Sequence, residues 1–281
     1  MKKTISITLA IIAILAVGCV KASKAVTPSK KTVTITKNFS SFTKIEASSI
    51  ISIVYKQDQK YSVTIHIPEN LVDNFIARQD NNTIKFSLKN AGNIGNANIT
   101  VSIASPRLKE VELSGASSFT SSSISMASDK IEFDLSGASS LSINNLKAQQ
   151  VEFDLSGAST ASVNEIIAAK SEFDFSGATH GKFKSILTEN FNLDLSGAST
   201  FNVSDAKVRN RTNVDISGTS SAKLNGITDK LDVETSGCSK ADLSDFRANT
   251  GTAEASGMSS ADLKVKNLTK SKSGMSKISN K

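Results

Sequence analysis

Eight carboxylates stand three residues ahead of a recurring glycine: Glu112, Asp134, Asp154, Asp174, Asp194, Asp215, Glu234 and Glu254. Two positions earlier stand Glu110, Glu132, Glu152 and Glu172. Acids in this arrangement suit three kinds of chemistry. A pair held in unlike environments serves as general acid and base on a glycosidic bond. A cluster of hard oxygens holds calcium. A wet charged face keeps a flat sheet from pairing with other sheets. The first needs one acid singled out, and near-uniform repetition argues against that. The second lacks a Gly- and Asp-rich calcium loop, and calcium binding stays open. Unit charges about 5 Å apart repel by roughly 0.8 kcal/mol in water and several-fold more at lower dielectric. The ladder is therefore expected on the surface, with Asp134, Asp154, Asp174, Asp194 and Asp215 as its regular part.

Other chemistry-bearing residues are few. His66 lies in an alternating strand pattern and His180 takes a Ser or Thr slot of the repeat, so both read as strand or surface residues rather than general bases. Cys238 sits where other repeats hold Ala116, Ala138, Ala158, Ala178 and Ala198, and reads as a small buried filler. No phosphate loop, dinucleotide fingerprint, Cys-His metal set or nucleophile elbow is present, so no cofactor is expected. The net charge of +7 includes the lysines near the chain start and comes with no aromatic-rich basic patch, which excludes nucleic acid as the expected partner. With no Trp and only Tyr55 and Tyr61, platforms for stacking sugars are not visible either.

The acids are positioned by a repeat. "IEFDLSGASS", "VEFDLSGAST" and "FNLDLSGAST" carry the glycines Gly137, Gly157 and Gly197. Gly115, Gly177, Gly218, Gly237, Gly257 and Gly274 extend the series to nine copies at a period of roughly twenty residues. Each copy has Ser before the Gly and Ser or Thr two residues after it, a fixed unit S-G-x-[ST]. Ahead of the glycine the pattern alternates, Phe133 and Leu135 against Glu132 and Asp134, and after it Leu141 and Ile143 alternate again. Two or three strands per twenty residues leave no room for a helix. The expected fold is all-β, a single-chain parallel β-helix, right-handed, about 43 Å tall for nine coils. A leucine-rich repeat would need Asn or Cys where glycine stands. Glycine permits positive φ or close approach at a coil corner, and Ser136, Ser156, Ser176, Ser196 and Ser217 are expected to hydrogen-bond along the column.

Residues 32–107 lack the repeat and read as a β-rich N-terminal region closing the column, or else as irregular early coils, with "PENLVDNFIARQ" as one short helix or loop turn. Residues 108–281 form the repeated coils. The last of these is degenerate and basic, with Lys270 and Lys272 at apolar slots, which blocks edge-to-edge pairing.

Lys2, Lys3, the apolar run Ile5–Val17 and "AVGCV" have the layout of an export signal over 1–18. "LAVGC" resembles the lipobox of bacterial lipoproteins, with Ala16 where Leu is usual, and that resemblance makes Cys19 the lipidated residue and lipid anchor. Residues 19–31 are then a polar tether. No Asp follows Cys19, so the outer membrane is the expected address.

At "FTKIEASSIISIVYKQDQKYSVTIHIPENLVDNF", followed by "ELSGAS" and "DLSGAS", the chain resembles the family of putative auto-transporter adhesins with a head GIN domain, over about Phe42 to Met275. The resemblance implies a β-helical, exported, often lipid-anchored bacterial protein and transfers no catalytic or binding residue. The expected function is a non-enzymatic cell-envelope lipoprotein, an adhesin or binding protein presenting its faces to a polysaccharide or protein. The rivals are a carbohydrate-active enzyme on the same scaffold and a purely structural envelope protein. Oligomeric state is left open.

Overall fold

Between Ser140 and Leu155 the chain stays extended for 16 residues (β10), yet its apolar side chains slip phase twice. Leu141 and Ile143 are buried, Asn144 and Asn145 are both exposed, and Leu146 and Ala148 are buried. After Gln149 and Gln150, Val151, Phe153 and Leu155 are buried again. A straight strand keeps a strict period of two, so each slip marks a bend that returns the next segment's inner side to the same core. Two bends and the Ser-Gly corner make a three-sided coil. The computed structural model describes residues 26–89, 94 and 97–281 of the chain.

The same plan recurs in β9 (Ser118–Leu135), β11 (Thr160–Ile167) with β12 (Lys170–Phe175), β13 (His180–Leu195), β14 (Thr200–Ile216), β15 (Ser221–Thr235), β16 (Lys240–Ala255) and β17 (Ser260–Lys272). Each pairs in parallel with the coil before it, and β18 (Lys277–Asn280) closes the series. The result is the expected parallel β-solenoid, about nine turns of roughly twenty residues. In-register stacking places like on like. Phe133, Phe153 and Phe173 form one inward column with ring centroids 4.9 and 5.5 Å apart. The column then narrows through Leu193, Val214, Val233 and Ala253 to Lys270. Its neighbour ends the same way, Thr235 and Ala255 leading to Lys272. The core thus tapers until exposed lysines replace it, which leaves a charged edge unsuited to further pairing.

The N-terminal part is both coil and cap. Here β2 (Lys44–Ala47) pairs in parallel with β8 (Glu110–Leu113), and β3 (Ser52–Gln57) with β9, so parallel stacking extends into the segment that lacks the repeat. Ser49, with φ +85°, occupies the corner that glycine takes above it. On the other side of this coil lie β6 (Thr83–Leu88) against β2 and β7 (Thr100–Ser105) against β3, both parallel. Stack order therefore departs from chain order: the coil that comes first in sequence lies second. Beyond it β5 (Phe75–Asp80) pairs antiparallel with β6, β4 (Ser62–Pro68) with β7, and β1 (Thr32–Lys37) with β4. These strands cover the open end of the column. Within "PENLVDNFIARQ", Pro68 ends β4, Glu69–Asn74 form a short 3-10 helix and Phe75 onward is β5.

The serine ahead of each corner glycine behaves differently from expectation. Ser136, Ser156, Ser176 and Ser217 point their hydroxyls at the carbonyls of Leu113, Leu135, Leu155 and Leu195 in the previous coil, at 3.3–3.5 Å, rather than at one another. The stronger stitch is the backbone, for example Ser136 N–H to the Leu113 carbonyl at 2.9 Å. The serine after the glycine closes the turn, with Ser159 Oγ donating to the Ser156 carbonyl at 2.6 Å and Ser139, Ser199, Ser259 and Ser276 doing the same at their corners.

Candidate functional site

Two acidic ladders run side by side up the face that precedes the corner. The inner one is continuous from Glu46 through Glu112, Asp134, Asp154, Asp174, Asp194, Asp215 and Glu234 to Glu254. The outer one runs Glu110, Glu132, Glu152, Glu172, then changes to Asn192, Asn213 and Asp232. Both follow from the alternation of each strand, which sends Phe153 and Leu155 inward and Glu152 and Asp154 outward.

The ladders differ in their partners. The outer acids are met by cations at the start of the same face: Lys130 at 2.9 Å from Glu132 and 2.6 Å from Glu152, Lys170 at 2.7 Å from Glu172, and Arg211 at 2.6 Å from Asp232. Burial pushes the Glu172 carboxyl up, but its hydrogen bond and charge contact with Lys170, joined by Asn192 and Gln150, outweigh that and lower it. Asp232 is lowered in the same way, burial being overcome by Thr252, Arg211 and Lys230. Among the described residues, no cation comes within ion-pairing distance of Asp134, Asp154, Asp174, Asp194 or Asp215. Desolvation against the sheet, followed by the charge of the neighbouring rungs, raises all five. Asp134, nearest the cap and half-buried, is pushed up to about 6, with Glu132, Asp154, Glu110 and Glu112 adding to its desolvation.

The pattern breaks near the cap. Oxygens of Glu110, Glu112 and Asp134 lie within 4.8 Å of one another, a spacing that suits a cation. The Lys44 ammonium already contacts Glu112 and lies 2.8 Å from Glu110, so the cluster is an ion-pair node. Beside it a groove of about 600 Å³ has Arg78 and Lys85 on the wall built by the antiparallel strands and Glu112, Asp134 and Asp154 on the other. Lys85 is tied to Glu46 at 2.7 Å. The break comes from strands that carry no repeat, so only the spacing of "TIKFSL" against "KIEA" in three dimensions reveals it.

The remaining candidates stand apart from this face. His66 is exposed on β4, its Nδ1 3.0 Å from Thr34 Oγ, and His180 is exposed at the start of β13. Cys238 is exposed, not the buried filler its alanine neighbours suggested, because the residue after the corner glycine points away from the coil. Cys19 and the segment 1–18 lie outside the described residues. Among the described residues no helix is long and apolar enough to cross a membrane.

The fold and this face define a class: a parallel β-solenoid whose regular coils present flat ladders. The chain belongs to the family described as "Putative auto-transporter adhesin, head GIN domain", which matches residues 41–184 and 167–280. No curated protein matches the sequence. A crystal structure of a putative adhesin from Parabacteroides merdae is similar at 15% identity and TM-score 0.62, covering 92% of this chain and 100% of that one. A putative adhesin from Parabacteroides distasonis is similar at 14% identity and TM-score 0.63, covering 91% and 99%. A structure called a putative lipid binding protein from the same species is similar at 16% identity and TM-score 0.56, again covering 91% and 99%. Likeness at these identities is likeness of fold.

Proposed function

We propose that the protein is a non-enzymatic, adhesin-like binding protein of the cell envelope, held at the outer membrane by lipid on Cys19, and that its acidic face is the surface offered to a polysaccharide or protein partner. One observation carries this reading. The five aspartates from Asp134 to Asp215 form an in-register row with raised pKa values and no cation of their own, beside a row that is carefully paired. A row of unpaired acids about 4.8 Å apart weakens the fold. It also supplies a regular set of acceptors to a partner with repeated donors, where weak contacts add up by multivalency. The adhesin names of the family and of two structural relatives support a binding role and an envelope or extracellular setting. The rival, a carbohydrate-active enzyme, needs one acid pair set apart in a cleft. The described coils from β10 to β17 keep nearly one length, and the shallow groove of about 660 Å³ along their acidic face is lined by the repeated acids themselves, Asp154, Asp174, Asp194 and Asp215, with no pair set apart.

Protease treatment of intact cells, compared with lysed cells and with a Cys19→Ala variant, tests the setting. Degradation on intact cells that changes in the variant is the expected result, and full protection until lysis overturns the adhesive role. An array of envelope and host polysaccharides, probed with the wild type and with an Asp154→Asn/Asp174→Asn/Asp194→Asn variant, tests the face. Binding that survives all three substitutions moves the ligand surface elsewhere.

A further inference from the structure

The residue after each corner glycine forms its own exposed column. It is alanine at five consecutive corners from Ala116 to Ala198, then Thr219, and then Cys238, Met258 and Met275. The amides of these last three donate to the carbonyls of Gly218, Gly237 and Gly257 at 2.8 Å each. Their glycines share one corner conformation, with φ of +71°, +70° and +69°. Three sulfur-bearing side chains therefore leave equivalent points on successive coils, about 4.8 Å apart. Cys238 is exposed, and Met258 and Met275 are 58% and 78% exposed. Of the four methionines, Met1 begins the chain and Met126 is buried in the core, so both surface methionines stand on this one column beside the cysteine. Packing is not what requires them, since both thioether side chains leave most of their surface to solvent and alanine serves the same corner five times.

We propose that Cys238, Met258 and Met275 together form a surface site for a soft monovalent metal ion of the copper(I) class. Thiolate and thioether sulfurs select Cu(I), whereas oxygen donors suit magnesium and calcium. Cys238 and Met275 are two coils, about 10 Å, apart at their Cα atoms. A cysteine side chain, a methionine side chain and two metal–sulfur bonds of about 2.3 Å bridge that gap, with Met258 between them as the third donor. Methionine has three rotatable bonds and adapts to such a geometry. On binding, the Cys238 S–H bond breaks and its proton passes to solvent. A sulfur–metal bond takes its place and the two thioethers each donate a lone pair. The copper stays Cu(I) and no electron is transferred. The site lies on the corner, apart from the acidic face, and does not depend on the binding role proposed above.

The test uses the full chain with Cys19→Ser, so that Cys238 is its only thiol, titrated without oxygen against Cu(I) held by bicinchoninate. The expected result is one equivalent of Cu(I) drawn from the competitor, unaffected by added Ca²⁺. Cys238→Ala removes the uptake, and Met258→Ala and Met275→Ala each weaken it by roughly tenfold or more. Alanine is the native residue at the same place in five other coils, so these variants keep the fold, which circular dichroism checks. No uptake by the parent chain overturns the site. Unchanged uptake by the Met258→Ala/Met275→Ala double variant also overturns it, leaving a thiol acting alone.

Discussion

At the scale of single residues, every position of S-G-x-[ST] has a separate physical task. Gly157 has φ +70°, and a Cβ there would stand 2.6 Å from the Gly137 carbonyl oxygen. Gly157→Ala therefore combines a left-handed conformation with a backbone clash and is expected to destabilise the protein by about 2 kcal/mol or more, read from the urea midpoint. The buried Ser159 hydroxyl satisfies the Ser156 carbonyl at 2.6 Å, so Ser159→Ala should cost about 1 kcal/mol in the same measurement. The recurrence of these residues was plain in the sequence, and the glycine's role with it. The serine's partner was not, because a hydroxyl finds its acceptor only once the turn has closed. The misreading of Cys238 has a related cause. Alanine at five corners says that the position is small, but it does not say which way the side chain points.

At the scale of the coil, side chains on one face are fitted to those on another. Where neighbouring coils have Leu155 and Leu195, β12 has Phe175, and the strand facing it has Gly181 in the column of Ala161 and Phe201. A Cβ on Gly181 would lie 2.4 Å from the Phe175 ring and 2.8 Å from Phe183. Gly181→Ala is expected to lower stability by about 1–3 kcal/mol through overpacking. Phe175→Leu in the same chain should recover much of that loss, giving a coupling of more than about 0.5 kcal/mol in a double-mutant cycle. Additive effects would mean that the ring and the glycine do not share space. The alternation that marks strands is local, so the strands were readable in advance. Which aromatic meets which glycine across the core was not, since it depends on where the two bends fall. The first coil was legible only as one of two readings, cap or irregular early coil, for a comparable reason. "EASSIIS" at Glu46–Ser52 aligns with "ELSGASS" at Glu112–Ser118, but Ser49 stands in for the glycine and a long excursion separates the two.

For the whole molecule, stacking converts one sequence phrase into faces of different chemistry. The face before the corner carries the acids. The face after it carries small hydroxylated residues such as Ser140, Ser142, Thr160 and Ser162, and the third mixes Lys147, Ile167, Leu187, Lys207 and Ile227. The acidic face makes stability depend on pH. A carboxyl raised in the folded state holds a proton that the unfolded chain has lost, so folding gains as pH falls from about 6 toward the ordinary value of 3.8 and loses as pH rises through 6. Lowered acids such as Glu172 and Asp232 act oppositely, and their contribution disappears as pH falls below the ordinary carboxylate range. The thermal midpoint should therefore peak near pH 4–5 and stand roughly 3–6 °C above its value at pH 7, a difference that calorimetry across pH resolves. Asp174→Asn should raise stability at pH 7 and flatten that dependence, since Asn192 and Asn213 already form a 2.8 Å rung on the adjoining ladder. Stability falling in that variant would mean that the aspartates are held by something other than one another.

The sequence by itself determined the strand content, the period, the corner chemistry and the presence of an acidic ladder, because all of these follow from alternation and from a phrase repeated along one chain. Tertiary structure alone decided three things. It set the order of the first coils, in which the strands of a later segment lie beneath those of an earlier one. It separated a paired ladder from an unpaired one, because Lys130 and Lys170 reach the glutamates and not the aspartates. It turned Cys238, Met258 and Met275, which share one slot of the repeat, outward on adjacent coils. In each case the physical reason is the same: residues roughly twenty or more apart become neighbours only through register, and register is settled when the coils close and stack.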